Sequence, residues 1–423
     1  MMYKSVRGME DILPERAGIW RNIEKACRET FQNFGYREII LPVVEQTEVF
    51  SRSLGNASDI VNKEMYTFED KKGRSLTLRP EGTASVVRSV IENNLLKDGS
   101  VLKVYYVGPM FRYERPQAGR KRMFYQIGVE FFGSESVLAD CDAALCLAQI
   151  FSRMKIPFTL KVNTLGCRRC STKYSEYVTD NLKADGAAMK KLCEDCLRRL
   201  SSNVLRVFDC KNTSCQDILR TLIPIGDSVC QSDKDKLRVF KKTLEEYNIP
   251  YEEDKSLVRG LDYYTGIVYE AFVKGREKDA VAGGGRYDGL VSSMGGPETP
   301  AVGFAIGIDR IMDTIDLINP EGPKEETDVV LVSIGEKSLR ENFRLLMGLR
   351  MKGIVSQMDY DLRSTRSQFR RANTLKARFV IVRGDEELQK KTVKVKRMSN
   401  GQEMDVREED IYKIIAENQK NTD

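Results

Sequence analysis

The stretch LVRGLDYYTG at residues 257–266 brings together an arginine, an acid and two tyrosines, namely Arg259, Asp262, Tyr263 and Tyr264. The chain has 423 residues and contains no histidine. A site built on this stretch therefore has no imidazole of its own. That absence excludes Ser-His and Cys-His catalysis, together with every histidine-ligated metal site. Whatever chemistry the stretch serves must work without a histidine side chain.

A second cluster of charge lies in FRYERPQAGRKRMFYQ at residues 111–126, where five of the residues from 112 to 122 are basic and Glu114 is the only acid. The planar guanidinium of arginine can hold a phosphate through two hydrogen bonds, so a phosphate-binding edge is one interpretation. A solvated loop tip is the alternative, because runs of charge usually face water. Arg310, in GFAIGIDRI at the start of a predicted helix, would by itself be structural.

Two further motifs lie at predicted turns. TLRPEGTA at residues 77–84 places Glu81 and Thr83 between a strand and a helix, where they are also a plausible N-cap pair. AGGGRYDGL at residues 282–290 lacks the G-x-G-x-x-G spacing and the βαβ context of a dinucleotide-binding fingerprint. We interpret it as a glycine-rich turn whose glycines allow close approach to a neighbouring strand or a ligand.

The ten cysteines, in a chain without a secretory signal, indicate free thiols or metal ligands rather than disulfides. Two C-x₂-C pairs, CRRC and CEDC, are separated by about 22 residues, a spacing close to that of a four-cysteine zinc site. We therefore expect one zinc site formed by Cys167, Cys170, Cys193 and Cys196. Reduced cysteines in a small helical insertion are the alternative.

The elements that must position these motifs fall into two blocks. Residues 1–320 show a first helix bounded by Pro14 and Gly35, then an antiparallel hairpin around the basic loop. Within this block, residues 167–253 are charged, cysteine-rich and helical in pattern, as an insertion would be. After a polar linker, strands alternate with helices over residues 326–423, which predicts a small α/β domain.

The composition sets wider limits. A net charge of +6 on 31% charged residues permits an anionic partner without requiring one. The polar N-terminus has no signal-peptide core, and no apolar run approaches the roughly 20 residues of a membrane span. We expect a soluble cytoplasmic protein that makes no use of a membrane.

Taken in order, these motifs resemble those of the class II aminoacyl-tRNA synthetases. LVRGLDYYTG and AGGGRYDGL are similar to the two histidine-binding signatures of the histidyl-tRNA synthetase family, and RGMEDILP at residues 7–14 and RPQAGRKRMFYQIGVE at 115–130 match the same family. The resemblance covers essentially the whole chain. It implies an α+β fold, in which a class II antiparallel-sheet catalytic domain carries the helical insertion and an anticodon-binding domain follows.

The resemblance also implies roles around ATP. Arg112 is similar to the motif 2 arginine that holds the α-phosphate, Glu114 to the acid that faces the adenine, and Arg310 to the motif 3 arginine on the γ-phosphate. Arg259 is similar to an arginine that this family places at the α-phosphate, so Arg259 and Arg112 are the expected catalytic residues. Mg²⁺ is expected to bridge the phosphates.

For the amino acid, the residues expected to contact histidine are Glu81, Thr83, Gln126, Glu130, Tyr263 and Tyr264. Among them, Glu130 and Tyr264 match the pair that hydrogen-bonds the imidazole. Arg115 and Gln117 lie in the loop that, in the family, approaches the acceptor end of tRNA. The region around residues 35–55 resembles the family's dimer interface, which predicts a homodimer.

The implied reaction joins histidine to ATP as histidyl-adenylate, releases pyrophosphate and then transfers histidine to tRNA. The attacking carboxylate is already ionised at neutral pH, so this step needs no general base. Positioning and charge stabilisation suffice, and arginines with Mg²⁺ supply them. The chain departs from the family at Tyr125, where FHQ is common, and we take Tyr125 as a tolerated replacement.

Two alternatives stay open at this point. A non-catalytic regulatory paralogue would bind effectors without charging tRNA, but such paralogues typically lack the anticodon domain and the arginines that are present here. Another class II synthetase, for glycine, threonine or proline, is the second alternative, and LVRGLDYYTG speaks against it. A chain without histidine can be made during histidine shortage; drift in composition would explain the same absence.

Overall fold

A computed structural model describes residues 3–55, 58–96, 100–116, 120–274, 279–318 and 327–419. The chain divides into two compact units, Met1–Gly322 and Pro323–Asp423, and each is described by itself. Within the described ranges, no helix combines the length and apolar character that crossing a bilayer requires.

The first unit contains eleven α-helices, three short 3₁₀ or π helices and eleven strands among its described residues. The helices are α1 (Pro14–Asn33), α2 (Thr47–Leu54), α3 (Thr83–Glu92), α4 (Val137–Arg153), α5 (Arg168–Ala184), α6 (Gly186–Lys191), α7 (Glu194–Ser202), α8 (Thr213–Leu219), α9 (Gln231–Glu246), α10 (Leu290–Ser293) and α11 (Ile308–Ile318). The strands are β1 (Arg37–Glu38), β2 (Val44–Gln46), β3 (Tyr66–Glu69), β4 (Ser75–Leu78), β5 (Leu102–Phe111), β6 (Met123–Phe132), β7 (Phe158–Thr164), β8 (Tyr251–Glu253), β9 (Thr265–Val273), β10 (Ala282–Arg286) and β11 (Ala301–Gly307).

An eight-stranded sheet of order β1-β5-β6-β11-β10-β9-β7-β8 organises this unit. Neighbouring strands are antiparallel except at the two edges, where β1 pairs with β5 and β8 with β7 in parallel. The predicted hairpin is confirmed, because β5 and β6 pair from Leu102 opposite Phe132 to Phe111 opposite Met123. The antiparallel architecture expected of the first domain is therefore present.

One face of the sheet is covered by α1, α4, α9 and α11. Pro14 occupies the first turn of α1, as predicted, and the apolar positions of that helix repeat at helical spacing through Ile23 and Phe31. These side chains join Ile150 of α4, Phe240 of α9 and residues from the central strands in one buried core. The opposite face carries a second buried core, which includes Phe50 of α2 and Val87 of α3, and the functional site borders this core.

The predicted glycine-rich turn at residues 282–290 is wrong, because its first five residues form β10 in the middle of the sheet. A Cβ atom at Gly284 would lie 2.2 Å from the carbonyl oxygen of Gly303, and one at Gly285 would lie 2.6 Å from that of Ile267. The close approach to neighbouring strands that we expected of these glycines is confirmed. Glycine gives no hydropathy alternation, so the strand itself left no signal in the sequence.

The cysteine-rich segment forms a helical module between β7 and β9, with α5 to α9 in it and an apolar core that includes Tyr174, Val178 and Val207. Residues 251–253 are the last three residues of the predicted insertion. They form β8 and pair with β7, so they belong to the main sheet rather than to the module.

The second unit contains the helices α12 (Glu336–Met351), α13 (Thr365–Thr374), α14 (Asp385–Lys390) and α15 (Ile411–Gln419) and the strands β12 (Val329–Ser333), β13 (Ser356–Met358), β14 (Phe379–Arg383), β15 (Thr392–Arg397) and β16 (Glu403–Arg407). Their order in the sheet is β13-β12-β14-β15-β16. The predicted α/β domain is confirmed. Strand β16 was not predicted, because only Met404 and Val406 interrupt its polar sequence.

Candidate active site

A cavity of about 630 Å³ opens on the sheet face opposite the helical core. Side chains alternate between the two faces of β6, so Val129 and Phe131 enter the core while Glu130 faces the cavity. The cavity exists because β11, which is next to β6, and β10, which is next to β11, carry small residues. The small residues that line the cavity in these two strands are Ala282, Gly283, Gly303, Ala305 and Gly307.

Ten of the residues predicted to bind ATP or histidine line this one cavity: Glu81, Thr83, Arg112, Glu114, Gln126, Glu130, Arg259, Tyr263, Tyr264 and Arg310. They come from the basic hairpin, the start of α3, the LVRGLDYYTG segment and the start of α11. Arg115 is exposed and is not among the lining residues. Gln117 lies outside the described residues.

Glu130 is the most deeply buried acid of the cavity, with 1% of the residue exposed. Thr83 donates a hydrogen bond of 2.6 Å from Oγ1 to its Oε1, and the phenol of Tyr287 donates to its Oε2. Burial nevertheless raises the pKa of Glu130 to about 8, because desolvation outweighs the two hydroxyl donors. A Cβ at Gly303 would lie 2.1 Å from Oε2, so glycine is required opposite this carboxyl.

Glu81 has two functions in the geometry. Its carboxylate accepts hydrogen bonds from the backbone N–H groups of Thr83 at 2.6 Å and Ala84 at 2.8 Å, which caps the start of α3. The same residue lines the cavity, and burial raises its pKa. Gly82 occupies the N-cap position of α3, so Glu81 and Thr83 are not an N-cap pair. Glu81 nevertheless bonds the first N–H groups of the helix and lines the site.

Arg259 and the tyrosines form a continuous set of contacts. The guanidinium of Arg259 pairs with Glu270 of β9 and lies 5.4 Å from the ring centroid of Tyr264. The Tyr264 ring is 4.8 Å from that of Tyr263, which in turn is 5.5 Å from that of Tyr287. Because Tyr287 donates to Glu130, these contacts connect the arginine to the buried carboxyl.

Asp262, which lies between Arg259 and the two tyrosines in LVRGLDYYTG, takes no part in these contacts. Burial raises its pKa, and its carboxyl faces Asn203 and Arg206 of the helical module. It is not among the residues that line the cavity. Within LVRGLDYYTG, Asp262 is therefore a contact to the module rather than a part of the candidate site.

The other arginines are oriented by backbone oxygens. Nε of Arg112 donates to the carbonyl of Pro80 at 2.9 Å, and its guanidinium lies 5.3 Å from the centroid of Phe124. Arg310 donates to the carbonyl of Ala280. A carbonyl oxygen fixes the direction of the Arg112 guanidinium without neutralising its charge, so this group is suited to holding an anion.

The sequence interpretation missed several residues of the site. Tyr287 lies within AGGGRYDGL, a motif that was singled out without assigning a role to any of its residues. Glu270, the partner of Arg259, lies in an apolar strand and carried no motif signal. The helical module also reaches the cavity through Arg199 and Arg206, and Arg199 donates to Asp59 at 2.8 Å.

The predicted grouping of cysteines is wrong. Cys167 and Cys170 do not join Cys193 and Cys196 in one site. Instead, each C-x₂-C pair is completed from another part of the module, which gives two separate clusters. The clusters are Cys193, Cys196, Cys210 and Cys215, and Cys167, Cys170, Cys230 and Asp233. Spacing in the sequence could not show which later residues complete each pair.

Comparison with known proteins agrees with this geometry. The family model described as "Histidyl-tRNA synthetase" matches residues 8–311, and the model described as "Anticodon binding domain" matches residues 328–418. The chain is 40% identical over 411 residues to the histidine–tRNA ligase of Natranaerobius thermophilus, covering 96% of this chain and 97% of that protein. It is 42% identical to the histidine–tRNA ligase of Desulfatibacillum aliphaticivorans, covering 96% of each.

A solved structure shows the same fold. The crystal structure of apo histidyl-tRNA synthetase from S. aureus matches with a TM-score of 0.82 and 34% identity, covering 98% of this chain and 100% of that one. The family model alone spans more than half of the chain, and the curated relatives extend the match to nearly its full length. The cavity with its arginines, tyrosines and buried Glu130 is thus the site of a chain that belongs to the histidyl-tRNA synthetase family.

Proposed function

We propose that this chain attaches histidine to its cognate tRNA, with histidyl-adenylate as the intermediate. One observation carries the proposal: a buried carboxyl with two hydroxyl donors and a set of guanidinium groups line the same cavity. The carboxyl suits a small ligand with ring N–H groups, and the guanidinium groups suit phosphates. A histidine–tRNA ligase needs both in one site.

We assign recognition of the amino acid to the buried carboxyl of Glu130 and to the residues around it. Glu130 and Tyr264 each bond one ring nitrogen of histidine, and Tyr263 supports Tyr264 by ring contact. Glu81, Thr83 and Gln126 bond the amino and carboxylate groups. A pocket whose polar groups are buried rejects ligands that leave those groups unpaired, by about 10⁴-fold or more.

The adenylation step follows from charge. An oxygen of the histidine carboxylate attacks the α-phosphorus of ATP, the bond from that phosphorus to the bridging oxygen breaks, and pyrophosphate leaves with the electron pair. Arg259 and Arg112 hold the α-phosphate as negative charge builds on its oxygens, while Arg310 holds the γ-phosphate and Glu114 faces the adenine. Mg²⁺ bound with ATP neutralises the leaving pyrophosphate. No side chain has to accept a proton in this step.

The remaining partners are proposed on the same basis. Arg115 and Gln117 contact the acceptor end of tRNA, and the C-terminal unit contacts the anticodon. The chain is proposed to act as a homodimer through residues 35–55, and the 85% exposure of Ile40 supports an apolar contact there. Structural zinc in the helical module does not enter the reaction. The substrates ATP and tRNA lead us to propose a cytoplasmic location.

The assignment of roles is tested by steady-state kinetics of histidine-dependent ATP–pyrophosphate exchange. Tyr264→Phe and Glu130→Gln should raise KM for histidine by at least tenfold and change KM for ATP little, since each variant loses or weakens a buried hydrogen bond worth about 1.5–3 kcal/mol to the ring. An equal rise in both KM values would refute the assignment. Light scattering of the purified chain tests the dimer: a monomeric mass would end that part of the proposal.

A further inference from the structure

The first cysteine cluster has the dimensions of a mononuclear metal site. Cys193 precedes α7 and Cys196 lies in its first turn. Cys210 follows the 3₁₀ helix Val204–Asp209, and Cys215 lies in α8. The four sulfur atoms all lie within 4.8 Å of one another, and those of Cys193 and Cys210 are 3.8 Å apart. Four thiolates at about 2.3 Å from a tetrahedral zinc ion must be separated by about 3.8 Å.

Backbone donors complete this cluster. The N–H of Cys193 donates to the sulfur of Cys215 at 3.2 Å, and the N–H of Asn212 donates to the sulfur of Cys210 at 3.4 Å. Such N–H donors stabilise negative charge on sulfur, as metal-bound thiolates require. All four cysteines are free rather than paired as disulfides, since a disulfide would need sulfur atoms about 2.05 Å apart.

The second cluster replaces one thiol with a carboxylate. Cys167 and Cys170 flank the start of α5, with their sulfur atoms 3.5 Å apart, and Cys230 and Asp233 come from the start of α9. Oδ2 of Asp233 lies 3.1 Å from the sulfur of Cys230 and 3.6 Å from that of Cys170. The N–H of Cys230 donates to the sulfur of Cys170 at 3.2 Å.

Burial explains why this carboxylate favours a cation. Asp233 is 5% exposed, and the ionised form of a buried carboxylate is costly unless a positive charge or hydrogen bonds compensate it. Its Oδ2 accepts a hydrogen bond from the backbone N–H of Cys167 at 2.9 Å, and the protonated thiols of Cys230 and Cys170 also donate to it. A divalent ion at the centre of the four ligand atoms would supply the positive charge.

We propose that the helical module binds two Zn²⁺ ions, one in the site of Cys193, Cys196, Cys210 and Cys215 and one in the site of Cys167, Cys170, Cys230 and Asp233. Thiolate-rich tetrahedral sets select zinc or iron–sulfur clusters, and the short separation of the sulfur atoms fits a single ion. Neither set uses histidine, which agrees with a chain that has none. The metal content does not depend on the proposed aminoacylation.

The two ions would have different consequences for the active site. Cys193 and Cys210 line the cavity, and the segment between them carries Arg199 and Arg206 to the same wall. The four-cysteine ion therefore fixes a wall of the active site. The ligands of the second ion are not among the lining residues, so that ion joins α5 to α9 and stabilises the module only.

Metal analysis of the full-length protein, expressed with zinc in the medium, tests the number of sites. The wild type should contain two zinc ions per chain, Cys196→Ser and Cys170→Ser one each, and the double variant none. Cys141→Ala removes a buried cysteine outside both clusters and should keep two zinc ions.

Zinc below one ion per chain in native wild type, or iron in place of zinc, would overturn the proposal. If the wild type contained one zinc ion per chain and both Asp233→Asn and Cys170→Ser kept that ion, the second site would be refuted.

A measurement on the wild type alone guards against variants that fail to fold. After replacement of zinc by Co²⁺, the intensity of the thiolate charge-transfer band should correspond to seven cobalt–sulfur bonds, four from one site and three from the other. Absence of this band from folded, Co²⁺-treated, zinc-depleted protein would overturn both sites.

Activity separates the two sites. Cys196→Ser should lower kcat/KM for ATP in the exchange reaction by about tenfold, because displacement of a cavity wall by a fraction of an ångström misplaces the bound nucleotide. Cys170→Ser, assayed below its melting temperature, should keep activity within twofold of wild type. The reverse pattern would contradict the assignment of the four-cysteine site to the active-site wall, while leaving the histidine specificity untouched.

Discussion

Replacing Gly283 with alanine should disable Arg259 without changing Arg259 itself. Gly283 lies in β10 directly behind the guanidinium, and a Cβ there would sit 2.4 Å from both terminal nitrogens and 2.6 Å from Cζ. Non-bonded carbon contacts are about 3.5 Å or longer, so the guanidinium has to retreat by about 1 Å. It is the end of a flexible side chain, so the arginine rather than the strand should give way.

The size of the effect follows from this displacement. Arg259 is proposed to hold the α-phosphate while charge builds on it, and misplacing such a group by about 1 Å costs roughly 100-fold in rate, or about 2.7 kcal/mol of barrier. We expect Gly283→Ala to lower kcat of ATP–pyrophosphate exchange by that factor at saturating histidine. KM for histidine should change little, and the thermal midpoint should stay within a few degrees of wild type.

Gly289→Ala is the matched control. It lies in the same AGGGRYDGL segment, is exposed, and has no atom within 4 Å of the position its Cβ would take. It should exchange pyrophosphate at the wild-type rate. If Gly283→Ala kept full kcat, or if Gly289→Ala lost as much, the assignment of Arg259 to the transition state would be refuted.

Three further predictions concern the same cavity. Arg259→Lys keeps the charge but loses the two-pronged geometry, so kcat of exchange should fall with a modest change in KM for histidine; unchanged exchange would make Arg259 structural. The pKa of Glu130 is about 8 in the folded protein, above its ordinary value of 4.5, so protonation of this carboxyl stabilises the folded state. That stabilisation is complete below about pH 4.5 and is lost as the pH rises through 8. The thermal midpoint of Glu130→Gln should therefore rise relative to that of the wild type as the pH is raised from about 5 to about 9. A difference between the two midpoints that does not vary with pH would contradict the raised pKa. The profile of kcat/KM for histidine should show an acid limb near pH 6.5 from the substrate imidazole, which disappears from kcat at saturating histidine; a strong limb in both would point to an enzyme carboxyl instead.

The sequence predicted best where function requires particular side chains in a fixed order. Arg112, Glu130 and Arg310 are far apart in the chain, yet all three line one cavity. Long motifs singled them out because such motifs carry the identity of the residues and their order, and the roles expected of them stay predictions. The hairpin and the first helix were predictable for another reason: their apolar periodicity and their proline and glycine boundaries are local properties.

The errors have physical causes that no local pattern contains. Strand β10 contains three glycines, and Cβ atoms at Gly284 and Gly285 would collide with the backbone of its neighbours β11 and β9. This crowding arises from how the three strands pair, which no local sequence pattern contains. Glu270 gained its role only when β9 and β10 brought it beside Arg259. The two C-x₂-C pairs belong to different clusters because residues later in the chain, such as Cys210 and Asp233, complete each of them. The positions of these later residues depend on how the whole module packs.

The central claim is that this cavity activates histidine and transfers it to tRNA. Pyrophosphate exchange into ATP by the purified full-length chain, measured with each of the twenty amino acids in turn and followed by charging of tRNA, tests it most directly. Histidine alone should support exchange, and labelled histidine should become attached to its cognate tRNA. Exchange driven by another amino acid, or none with histidine while the protein is folded and Mg²⁺ is present, would contradict it.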